Sequence, residues 1–367
     1  RVTGAPPASL SPDLNRLITR LRTEAGIDIS RTTGAQANIT IQAVARDDIR
    51  RTIPDAACFV VPNVSSLDEY RHMRRSSRTS WSALEKREKL AIFLPNDASP
   101  QEARDCLHEE LAQAIGPLND LYRLPDSVFN DDNVHTVLTG FDMMMLRAYY
   151  APELQTGMTR AQVAAQLPKV FARINPAGQG LPAHPISETP RAWSDAVQTA
   201  LGPGASPSQR RSAAAQMLTI ATQMGWTDHR RAFAHYANGR LLMNSDPEAA
   251  QQHFLLADRY YAATPGAELH RAYVATQLAA YAISRGEGEQ ALAQVDPYID
   301  LAAASENAAL LSTLLMLRAE ALELTGRHAE ARTVRVDSLG WARYGFGPDW
   351  AVRAKEREIA SLNPLNG

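Results

Sequence analysis

Apolar positions along the first half of the chain change period several times. Leu14, Leu17, Ile18 and Leu21 recur at helical spacing, and Gly26 closes that run. Ala37 to Val44 (ANITIQAV) alternates β-branched and polar residues, the pattern of a half-buried strand. Cys58 to Val61 (CFVV) and Leu90 to Leu94 (LAIFL) are short apolar runs, each followed by proline, and predict buried strands. Helical periodicity returns at about Pro100–Ile115, His135–Tyr150 and Arg160–Ile174. Residues 12–175 therefore read as an α+β block. Residues 1–11, rich in Gly, Pro, Ser and Ala, read as an N-terminal tether.

Four prolines between Asn175 and Pro190 interrupt any regular element, which places a linker at 176–190. Beyond it, from 191 to 362, every periodic segment is helical and alanine-rich. Ser245, Gly286 and Gly326 each open a turn, and Ala250, Ala291 and Ala331 follow five residues later, at spacings of 41 and 40. A helix precedes each turn (Ala232–Met243, Leu269–Ser284, Ala308–Leu324) and another follows it. Helix, tight turn, helix at a fixed period is the signature of a helical-repeat array, in which stacked hairpins bury a shared core. Ala250-x3-Phe254-x2-Ala257 matches the second helix of a tetratricopeptide (TPR) repeat, although the period exceeds 34 residues. The expected fold is thus an α+β N-terminal domain followed by an all-α, TPR-like array. An irregular bundle with alanines as helix formers is the plainer alternative.

Composition narrows the function classes. A net charge of −2 removes the basic footprint of a nucleic-acid binder. No apolar stretch reaches the roughly 18 residues needed to span a bilayer. The start at Arg1 and the tether suggest a removed export signal, with a trimmed chain as the alternative. Cys58 and Cys106 can then close a bridge worth roughly 3–4 kcal/mol across 48 residues, or remain two buried thiols.

Candidate chemistry concentrates at Cys106-Leu107-His108-Glu109-Glu110-Leu111-Ala112-Gln113. In the zincin motif His-Glu-x-x-His, residues four apart share a helix face, so two imidazoles reach one zinc while the Glu activates its water. Ala112 stands where the second His belongs. A metal on His108 would need ligands from elsewhere, with His135, Asp131 and Asp142 as candidates. Leu107, Leu111, Ala114, Ile115 and Leu118 instead form a core stripe, and Cys106, Glu109, Glu110 and Gln113 a polar one. Asn130 to Asn133 offers four oxygen-bearing side chains that could hold Ca²⁺, yet lacks the EF-hand pattern and serves better as an N-cap for the helix expected near His135. Arg71, Arg74, Arg75 and Arg78, with His72, form a basic cluster read as a solvated loop.

Three blocks, CLHEELAQAIGPLND, SVFNDD and LTGFDMMMLRAYYAPELQTGM, resemble a bacterial domain-of-unknown-function family, number 2927, of exported and often lipid-anchored proteins. They span about Cys106 to Met158. Glu109, Glu110, Gln113, Asn119, Asp120, Asn130, Asp131 and Asp142 match its pattern. The resemblance implies a degenerate zincin-like fold, a periplasmic location and, in a lipidated precursor, an anchor upstream of Arg1. Ala112 departs from a working zincin, so the fold analogy brings no activity with it. The expected function is an exported, non-catalytic binding or scaffold protein without a cofactor, whose helical array docks another protein of a cell-envelope complex. The alternative is a hydrolase of peptide or cell-wall material, with Glu109 as general base and an atypical metal site built from His108, His135 and Asp131.

Overall fold

The structure, a computed structural model, describes residues 1–54, 56–182 and 186–366. It divides into two compact units, each discontinuous in sequence: Arg1–Asp120 with Val137–Pro185, and Leu121–Thr136 with Ile186–Gly367. Among the described residues no helix is long and apolar enough to cross a membrane.

The first unit is built on a four-stranded sheet of β1 (Val2–Gly4), β2 (Ile39–Val44), β3 (Phe59–Pro62) and β4 (Leu90–Pro95), in the order β1-β2-β4-β3. β1 and β4 run parallel to β2, and β3 runs antiparallel to β4. Helices α1 (Leu10–Thr23), α2 (Arg46–Thr52), α3 (Leu67–Met73) and α4 (Pro100–Ile115) supply the two covering layers. Strand alternation divides β4 between them: Ala91 and Phe93 join Ile49 of α2 and Leu67 of α3, whereas Leu90 lies beside Leu111 of α4. Every residue of β4 is buried, as a strand covered on both faces requires. Helices α5 (Gly140–Tyr149) and α6 (Arg160–Ile174) pair through Ala148, Ala151 and Val170.

Three expectations change here. Residues 1–11 are not a free tether: Val2–Gly4 is a strand in register with Ile41–Ala43, and Leu10 is a buried core residue. Gly4 is needed there, because its φ is +80° and a Cβ would run into the Ala43 carbonyl. The helix expected from His135 starts only at Gly140. Thr139 caps it, accepting from the Asp142 N–H at 3.2 Å while Asp142 accepts from the Thr139 N–H at 2.9 Å. Asn130–Asn133 therefore caps no helix. Of the basic cluster, Arg71 and His72 lie on α3, where Arg71 pairs with Asp48 at 2.8 Å, while Arg74, Arg75 and Arg78 follow the helix and are exposed.

The second unit holds α7 (Arg191–Leu201), α8 (Pro207–Gln223), α9 (His229–Leu242), α10 (Pro247–Ala262), α11 (Glu268–Ser284), α12 (Gly288–Val295), α13 (Ile299–Ala304), α14 (Ala308–Leu324), α15 (His328–Phe346) and α16 (Asp349–Ala360). Successive helices from α7 to α12 pack on one another, and α12 and α15 both pack on α14. Gly286 and Gly326 take φ of +76° in the turns before α12 and α15, and Ala250, Ala291 and Ala331 are fully buried at equivalent places in α10, α12 and α15. Small residues at these crossings let the helices approach closely. A Cβ on Gly239 would meet the Phe254 ring at 2.7 Å.

Two segments that the sequence pattern assigns elsewhere belong to this unit. Residues 121–136, expected within the α+β block, contribute Tyr122 to the core around Trp193 and Phe233, and Val134 to the core of α11 and α14. Within the expected linker, Ser187 and Thr189 are fixed by α9 and the residues just before it: Arg230 donates to Ser187 O at 2.9 Å and to Thr189 Oγ1 at 3.1 Å, and Trp226 Nε1 donates to Ser187 Oγ at 3.0 Å. Ala183–Pro185 of that linker lie outside the described residues.

Candidate functional site

Helix α4 begins as its sequence dictates. Ser99 Oγ accepts from the Glu102 N–H at 3.1 Å and Pro100 takes the first turn, where its missing N–H loses nothing. At the far end Arg87 donates to the Gln113, Ala114 and Gly116 carbonyls, satisfying acceptors that the helix leaves open. Between these ends the side chains singled out as candidate chemistry are embedded in protein. His108 is buried, and its Nδ1 accepts from the Leu138 N–H at 3.0 Å. Burial first, then the nearby Arg104, Arg20 and Arg16, lower its pKa to about 3, so the ring is neutral near pH 7. Ala112 is fully buried.

The acids of α4 face different surroundings. Burial pushes the Glu110 carboxyl well above its ordinary range, and Glu109 and Asp120 add to the rise. Glu110 takes a backbone hydrogen bond from Val60 of β3, while its Oε2 has no partner. Asp105 is raised in the same way, by burial and by the charges of Glu102 and Glu109. Glu109 is half-buried between them. Gln113 Nε2 donates to Asp120 Oδ1 at 3.2 Å, and Asn119 and Asp120 are exposed. Cys106 is bonded to Cys58, with 6.0 Å between the Cα atoms. The bridge alternative is the correct one, and it ties α4 to the residue preceding β3.

The other matched positions serve as braces. Asp142 is the buried partner of the Thr139 cap. In the second unit Asn130 Oδ1 accepts from the Leu124 N–H at 3.3 Å, and its amide donates to Asp132. Tyr122 donates to Asp131, whose carboxyl is raised by burial. His135 Nε2 donates to Pro125 O at 2.9 Å. Asp132, beside these residues but not among them, accepts from His270 Nε2 at 2.7 Å, with both side chains almost wholly buried. His229 Nε2 donates to Tyr122 O at 2.9 Å, and Asn307 Nδ2 to Val134 O at 3.4 Å. These contacts dock the 121–136 segment onto α9, α11 and α14. They span up to 173 positions, and the only local signal for them is the Asn-Asp-Asp-Asn run itself.

His108 belongs to the first unit, whereas His135 and Asp131 belong to the second. Among the described residues no three His, Cys, Asp or Glu side chains are grouped to hold a metal. Within the first unit these residues form a disulfide, a reciprocal helix cap and two buried carboxyls held above their ordinary range. Residues 1–169 match the model of a family described as "Protein of unknown function (DUF2927)". No curated protein matches the chain, and no solved structure does.

Proposed function

We propose that this chain is an exported, non-catalytic binding protein. In this reading a degenerate zincin-like domain accompanies a TPR-like array, and the array docks another protein of a cell-envelope complex. The observation that carries the reading is the surface of the last two helices of the second unit. Val336 on α15 is 72% exposed and Trp350 on α16 is 69% exposed, with Trp341 and Leu365 also open. Large apolar side chains, tryptophan above all, are enriched where proteins meet. Their presence on stacked helical hairpins fits an array that offers its face to a partner. The Cys58–Cys106 bridge favours an oxidising compartment, in keeping with export. For the first unit, the His108 Nδ1 taken up by the Leu138 N–H and the buried Ala112 in the place of a second ligand favour a structural role for α4 over zinc-dependent hydrolysis.

A photo-crosslinker placed at Trp350 in the native host tests this. The expected result is one discrete adduct, absent when the crosslinker sits at Arg22 on the outside of α1 and lost on Val336→Asp. A chain that stays monomeric in host extracts and gives no adduct at Trp350 overturns the reading.

A further inference from the structure

The first unit contains a groove of about 610 Å³ that none of the features above uses. That volume lies within the roughly 300–1,000 Å³ of small-molecule sites. Its walls are aliphatic: Leu14 and Ile18 of α1, Ile39 and Ile41 of β2, and Leu111 and Ile115 of α4. Ile18 and Ile39 are only half-buried, so the groove leaves apolar surface facing solvent. The charged groups that line it are three guanidiniums, Arg1, Arg31 and Arg87, against the single carboxylate of Asp28. Arg31 donates to Asn15 Oδ1 at 2.8 Å and Ser11 Oγ at 3.3 Å, Arg1 Nε donates to Thr40 Oγ1 at 3.2 Å, and Arg87 binds carbonyl oxygens. All of these acceptors are neutral. Among the described residues none of the three arginines is paired with a carboxylate.

An apolar trough bordered by guanidiniums that no carboxylate neutralises is complementary to a molecule with an alkyl chain and an anionic head. We propose that this groove binds a single-chain amphiphilic carboxylate, its chain along the α1–β2–α4 wall and its head at the groove's guanidinium groups. The alkyl chain supplies affinity through burial of apolar area. The guanidinium supplies choice of head group, since Arg meets a carboxylate with paired, charge-assisted hydrogen bonds.

The test uses the full chain and dodecanoate below its micelle concentration, followed by calorimetry. Saturable one-site binding is expected, with no heat from acetate and none from dodecyltrimethylammonium. Arg31→Gln should weaken dodecanoate about tenfold, the loss of one charge-assisted contact. Ile18→Glu, which sets a carboxylate in the apolar wall, should abolish binding. Circular dichroism of both variants must match that of the parent, and Arg31→Gln changes a side chain with only exposed, neutral partners. No saturable binding, equal binding of the cationic amphiphile, or binding indifferent to both substitutions overturns the proposal.

Discussion

His108 is neutral because charging it inside the first unit is expensive, and this makes it a reporter of acid stability. In the unfolded chain a histidine takes up its proton near pH 6.5, whereas the folded His108 does so only at about 3. Protonation between those values favours the unfolded state. The stability it confers is full above pH 6.5 and is lost as pH falls, at up to about 1.4 kcal/mol per pH unit. His229 and His235, lowered to about 4 by burial, act with the same sign over a narrower window. His108→Gln keeps an acceptor for the Leu138 N–H and removes the titration. Urea unfolding at pH 4.5 and 6.5 should show the stability difference between the two pH values shrinking by roughly 2 kcal/mol in this variant, and an unchanged difference would mean that the folded ring titrates normally. Glu110 behaves in the opposite sense. Its folded carboxyl is raised above 4.5, so it binds a proton where the unfolded chain has lost one, and stability falls as pH rises past 4.5. Glu110→Gln should leave stability near its parental value at pH 4 and raise it at pH 8. A loss at pH 8 would show that the ionised carboxylate is held by contacts stronger than its Val60 bond.

Among the elements, α4 is the part of the candidate site that local pattern describes well. Ser99-Pro100 starts it and Gly116 ends it, so the expected span and the observed one agree, although the side expected to be polar is buried too, at Cys106, His108 and Glu110. Its link to the sheet is long-range. Cys58 and Cys106 close a loop of 48 residues, which in the chain-entropy view contributes roughly 3–4 kcal/mol to the unit that contains it. Cys58→Ala with Cys106→Ala should lower the unfolding midpoint of the first unit. The fluorescence of Trp193 and Trp226, both buried in the second, should change little at that midpoint. A common shift of both signals would mean that the units unfold as one. Other elements were hidden for identifiable reasons. β1 is three residues long, too short for any period to register, and exists only because β2 offers it an edge. α5 starts late because Thr139 and Asp142 form a reciprocal cap, which outranks the apolar spacing that runs back to His135. The pairing of Asp132 with His270, 138 residues away, leaves no trace in local periodicity at all.

For the whole molecule, the consequence is that the folding units do not follow the order of the chain. Residues 121–136 lie inside the stretch matched to the family model, 1–169, yet their side chains complete the cores of the helical unit. Tyr122 sits edge-on to Trp193 at 5.0 Å, Val134 lies among α11 and α14 residues, and Asp132 satisfies His270. Burying Tyr122 and Val134 is worth on the order of 3–5 kcal/mol, and removal of Asp132 leaves a buried imidazole without its acceptor. A domain of about 200 residues with a net stability of about 5–15 kcal/mol has little room for that loss. A fragment of residues 186–367 should therefore melt more than 10 °C below the second unit of the intact chain, or aggregate, and a synthetic 121–136 peptide added in excess should restore part of the difference. Differential scanning calorimetry with and without the peptide reads this directly. If the fragment alone melts where the intact chain's helical unit does, residues 121–136 are passengers on that unit rather than part of its core.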